Sequence, residues 1–139
     1  MVRLTPPDLE LFLTQYLRER AAARGDLVRV DNKEPSDLDV ESDPVIVVRD
    51  DSGTRLDWPS FDRSVGVSVL AGTRRYDKPA NDLARVVFAD LTDDAIVTWP
   101  GSPIASVEWD GCNGPYAVQE QLDKARRYMT AQYVVIGSW

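Results

Sequence analysis

The sequence predicts an α+β fold, a mixed, mainly antiparallel sheet with two helices packed on one face. Three observations carry this. An apolar stripe at helical spacing opens the chain (Leu9, Phe12, Leu13, Tyr16, Leu17), and a second one follows its midpoint (Leu83, Val86, Val87, Leu91). Between and after these stripes lie apolar runs of strand length, of which "SVGVSVLAG", Ser64 to Gly72, alternates most regularly.

Each element has its own signals. Thr5, Pro6, Pro7 and Asp8 read as a helix start, with Thr5 as the cap, and Gly25 is placed to end that helix. "DLVRVD", Asp26 to Asp31, is a short alternating strand. "NKEPSDLDVESDP" then offers acids, turn residues and two prolines without periodicity, which predicts an acidic loop around residues 32–44. "VIVVRD" reads as a strand, and "DDSG" as a turn that folds "TRLDW" back as a hairpin arm. In Ser64 to Gly72, Val65, Val67, Val69 and Ala71 point one way, and Gly66, Ser68 and Leu70 the other, the pattern of a strand with one buried face. Asp77 caps the second helix, Pro79 sits in its first turn, and the helix ends near Asp94. "IASVEWDG" is a further strand, "GCNGPY" a turn, Gln119 to Arg127 a short charged segment, and "YMTAQYVVIG" a final strand.

At 139 residues with 43% apolar content, the chain reads as one domain over residues 1–139 able to bury a core without cross-links. No run reaches the eighteen or so apolar residues a membrane helix needs, and the charged first 25 residues are unlike a secretory signal, so the expected location is cytoplasmic. The net charge is −7, and residues 26–62 hold eleven acids against four bases. Such a surface repels phosphate backbones; sequence-reading of nucleic acid is not expected, although DNA sliding past without sticking is compatible with it.

The chemistry-bearing residues are few. The chain has no His, and Cys112 is its only cysteine, so a disulfide within the chain, a zinc set and a Cys-His dyad are all excluded. The acids Glu34, Asp37, Asp39 and Glu41 superficially resemble a calcium loop. Pro35 and Pro44 interrupt the run, however, and the Gly of an EF-hand is missing, so a loop facing solvent or a channel is the reading. No phosphate-binding glycine motif precedes the second helix, and Asp93 with Asp94 at a helix end is not an organised acid/base pair. The expectation is a protein that is not an enzyme, with no cofactor and no metal. Arg74, Arg75 and Tyr76 are the candidate contact turn, because Arg and Tyr are enriched where proteins bind one another. Trp58, in a turn before Pro59, is a further candidate subunit contact.

The element order, with "SVLAGTRRYDKPANDLARVVFADL" and the terminal "ARRYMTAQYVVIGSW", resembles the tail terminator (tail completion) proteins of long-tailed bacteriophages. Leu9 to Leu17 match the first helix, Val65 to Leu91 the strand, polar turn and second helix, and Arg127–Tyr128 the opening of the last strand. The resemblance implies a structural virion protein at the neck, made in the host cytoplasm and forming a homo-oligomeric ring, typically of six copies. That ring sits on the head-proximal end of the tail tube, ends tube polymerisation, and offers a docking surface to the head-tail connector or neck protein, with DNA passing through. The long acidic loop and the segment Asp50 to Trp58 depart in length and charge from simpler members. A head-completion or connector ring, and a small acidic immunity-type inhibitor of a basic protein, remain as alternatives.

Overall fold

The computed structural model describes residues 3–38, 42–120 and 122–139. Helix α1 (Leu9–Arg24) precedes three strands, β1 (Arg29–Asp31), β2 (Val45–Ser52) and β3 (Ser60–Ala71). Helix α2 (Lys78–Thr92) follows, then β4 (Ile104–Val107), β5 (Asn113–Val118) and β6 (Ala125–Ile136), with short 3-10 turns at Asp94–Ile96 and Trp109–Gly111. The sheet runs β1-β2-β3-β6-β4, parallel between β1 and β2 and antiparallel elsewhere, and β5 also pairs with β6. The α+β fold with two helices on a mixed, mainly antiparallel sheet is therefore as the sequence predicts.

The spine is the β3–β6 pair, which keeps one register from Ser60 opposite Ile136 to Ala71 opposite Ala125. Val65, Val67 and Val69 of β3 and Met129, Ala131 and Tyr133 of β6 line one face and are fully buried beneath the helices. Leu9, Leu13, Tyr16 and Leu17 of α1, and Ala84, Val87 and Leu91 of α2, close over them. Each such buried Val, Leu or Met side chain contributes about 1.5–3 kcal/mol, so this layer dominates stability. Gly25 ends α1 in the left-handed region, with φ 78°, as expected of its position.

The far face of the sheet differs from the expected open one. Leu70, which alternation turns away from the helices, is fully buried with Leu38, Val45 and Val47 in a second small cluster. The loop after β1 folds back across that face and brings Leu38 with it. Gly66 is buried there too, because the Tyr128 ring lies across it; a Cβ at this position would collide with the Tyr128 hydroxyl and the Asp51 carboxylate.

Four local expectations need correction. The cap of α1 is Asp8, whose Oδ1 accepts from the Leu11 amide, whereas Thr5 is drawn into a two-residue bridge with Ser138. "TRLDW" forms no hairpin arm: β2 continues through Ser52 and its antiparallel partner is β3, with only Arg55 bridging to Phe61. "GCNGPY" is not merely a turn, since Asn113–Val118 is strand β5 on the outer edge of β6. The segment from Gln119 to Arg127 already contains the start of β6 at Ala125.

Candidate functional site

Two exposed groups of side chains stand at opposite ends of the spine. At the first end β3 leaves the sheet through Gly72, φ 63°, where a side chain would meet the Tyr76 carbonyl. The Thr73 amide donates to the Tyr76 carbonyl at 3.1 Å and the Tyr76 amide to Thr73 Oγ1 at 3.0 Å, which closes the turn that carries Arg74, Arg75 and Tyr76. Arg74 is partly committed inward, its amide donating to Asp123 Oδ1 and its guanidinium to the Glu120 carbonyl. Arg75 enters no ion pair among the described residues, and Tyr76 is 64% exposed. Asp77, the expected helix cap, makes no capping hydrogen bond with its side chain; its carboxylate accepts from Arg127 Nη2 at 2.8 Å, which holds its pKa below the usual value. The cap is exchanged for a tie between α2 and β6, and Pro79 in the first turn lowers the need for it.

At the other end Trp58 is 56% exposed and Trp139 is 84% exposed, their ring centroids 6.4 Å apart. The turn beneath Trp58 is rigid: Asp57 Oδ1 accepts from the Ser60 amide and hydroxyl, and Arg55 Nη2 donates to the Trp58 carbonyl at 2.6 Å. The Gly137 amide donates to the Pro59 carbonyl, which brings the last residues of the chain alongside. Trp139 as a partner of Trp58 is a residue that sequence reasoning missed, because only the β3–β6 register joins them. Ser60 and Ala71 delimit a strand that separates the two ends by roughly 35–40 Å.

The loop acids Glu34 and Asp37 are exposed to solvent and are also tied to the fold by ion pairs. Glu34 pairs with Arg126, which also holds Glu120 at 2.7 Å, and Asp37 pairs with Arg29 at 3.4 Å. Asp39 and Glu41 lie outside the described residues. Beside this strap the far face has a groove of about 660 Å³, bordered by Lys33, Arg49, Tyr116 and Tyr128. Tyr116 packs edge-on against Tyr128 at 5.9 Å, and the Tyr128 hydroxyl donates to Asp51 at 3.1 Å. Burial raises the Tyr128 pKa, as does the neighbouring Asp51 charge.

The helix side is locked by charge. Asp90, 3% exposed, accepts from Arg20 Nε at 3.1 Å and Arg24 Nη1 at 2.6 Å, joining α2 to α1. Arg20 also lies over the rings of Tyr16 and Trp99, and the Trp99 indole donates to Glu19. Asp93 caps the following 3-10 turn and pairs with Arg20, a structural use of that carboxylate. Cys112 is half-buried in the loop before β5, and burial pushes its thiol pKa up, away from nucleophilic character. Among the described residues, no group of three or more Cys, Asp or Glu side chains is placed to hold a metal ion, and no helix is long and apolar enough to cross a membrane.

Two of the sheet's outer strands, β1 and β5, are partly blocked against further strand pairing. The Val30 carbonyl of edge strand β1 accepts twice from Arg18, at 3.1 and 2.6 Å, and edge strand β5 carries Pro115, which has no N–H to offer. No protein-family model matches the chain, and no curated protein matches it in sequence.

Proposed function

We propose that this protein is a structural, ring-forming tail terminator of a long-tailed bacteriophage: it closes the head-proximal end of the tail tube and presents a surface to the neck. The observation that carries the reading is the placement of a basic, aromatic turn (Arg75, Tyr76) and an exposed tryptophan pair (Trp58, Trp139) at opposite ends of one uninterrupted strand pair. A terminator meets neighbours on more than one side and therefore needs separate, non-identical contact surfaces on a stiff frame. Arg, Tyr and Trp are the side chains that most often dominate protein contacts. The net charge of −7 suits a ring through which DNA moves without being held.

Labelling with an antibody in electron micrographs of the phage that encodes the chain tests the assignment. Label at the junction of tail and head supports it. Label on filled heads that lack tails replaces it with the connector-ring alternative, and a soluble one-to-one complex with a basic protein replaces it with the inhibitor.

A further inference from the structure

On the far face of the sheet, close to the Trp58 end, lies a hollow of about 350 Å³ lined by Leu56 and Val134 together with Asp62, Glu108 and Asp110. None of these three carboxylates enters an ion pair among the described residues, in contrast to Asp50, Asp77, Asp90 and Asp93, each of which holds an arginine. Two are fixed from within: Gln132 Nε2 donates to both oxygens of Asp62, at 2.9 and 3.0 Å, and the Ser106 hydroxyl donates to Glu108 at 2.8 Å. The hollow thus presents apolar surface and uncompensated negative charge in a set geometry.

The complementary feature is at the other end of the same strand. Arg75 stands without an ion-pair partner among the described residues and Tyr76 beside it is 64% exposed, on a turn closed by its own hydrogen bonds. Asp62 and Ala71 bracket roughly 30 Å of β3 between them, so a turn and hollow of one molecule cannot meet each other. They can meet only between molecules.

We infer that the Arg75–Tyr76 turn of one copy docks into the Asp62–Glu108–Asp110 hollow of the next, the guanidinium against the carboxylates and the Tyr76 ring against Leu56 and Val134. The inference rests on the reading that copies of this chain associate, and it names the contact. Since the two surfaces differ, the contact is head-to-tail, and repeating it yields a ring if the rotation closes. Its attraction has an exposed ionic part, so it weakens with salt.

Sedimentation velocity of the purified chain over a concentration series tests this, using Arg75→Glu, Asp110→Arg and the double variant. All the altered side chains are exposed, so unchanged circular dichroism and melting are expected. Each single reversal is expected to weaken association at least about tenfold, and the double variant, which restores opposite charges, to return to within about threefold of the original. Association unchanged by either single reversal, or not restored in the double variant, overturns this contact while leaving the ring reading standing. No association of the unaltered chain, alone or on isolated tail tubes, overturns both.

Discussion

The lock between the helices makes a quantitative prediction. Asp90→Asn keeps the shape of a side chain that is 4% exposed but removes the charge facing Arg20 and Arg24, each 28% exposed. An Asn amide can accept from one guanidinium, and its NH₂ then confronts the other, so two partly buried cations lose their counter-charge. Breaking a buried pair by removing one partner costs about 3–5 kcal/mol; partial exposure of the arginines and their remaining contacts with Asp93 and Asp26 place the expected cost at about 3 kcal/mol. For 139 residues, at ~2.1 cal/mol/K of unfolding entropy per residue, that lowers Tm by about 10 °C. Urea titration followed by circular dichroism should show a lower midpoint with an unchanged slope, since the core is untouched. A loss below ~1 kcal/mol would refute the claim that this triad holds α1 to α2.

Other consequences are equally direct. Tyr16, buried and donating to the Asp90 carbonyl at 2.6 Å, has its pKa raised by burial to about 12 from 10.0. The unfolded chain therefore loses this proton first as pH rises, and Tyr16 should lower stability by on the order of 2–3 kcal/mol between pH 10 and 12; Tyr133, whose buried hydroxyl is also shifted up, adds to the fall, so Tyr16→Phe should make that part of the profile shallower without abolishing its slope. Asp77, with its pKa lowered by Arg127, stabilises the fold above the ordinary carboxylate value of 3.8 and ceases to do so as pH falls through its lower native value. The difference in stability between the parent and Asp77→Asn should accordingly vanish in acid titrations. Gly53→Ala should cost more than Gly66→Ala, because a Cβ at Gly53 meets the rigid Asp62 backbone, whereas at Gly66 it meets the ends of the Tyr128 and Asp51 side chains, which can turn aside; about 1–3 kcal/mol is expected for the latter by thermal melting.

The parts legible in the sequence are those whose cause is local. The stripe from Leu9 to Leu17, the alternation of Val65, Val67 and Val69, and Gly25 as a stop each express a period or a backbone preference within a few residues. Strand β5 escaped notice because Asn113, Gly114 and Pro115 have turn composition, and it is strand only because the long outer edge of β6 supplies partners. Burial of Leu70 depended on a loop distant in sequence crossing the far face. Of the candidate contacts, Arg74 was legible as part of a turn but not as a tie to Asp123, and Trp58 was legible as exposed but not as one of a pair. Arg20 and Arg24, one helical turn apart, were a usable sign that an acid must face them, yet nothing local named Asp90.

The proposal that a long-tailed phage encodes this chain as its tail terminator is tested most directly by the length distribution, in negatively stained micrographs, of tails assembled without it. The terminator reading predicts headless tubes of over-long and variable length, restored to one length when the chain is supplied; tubes of normal length in its absence would contradict it.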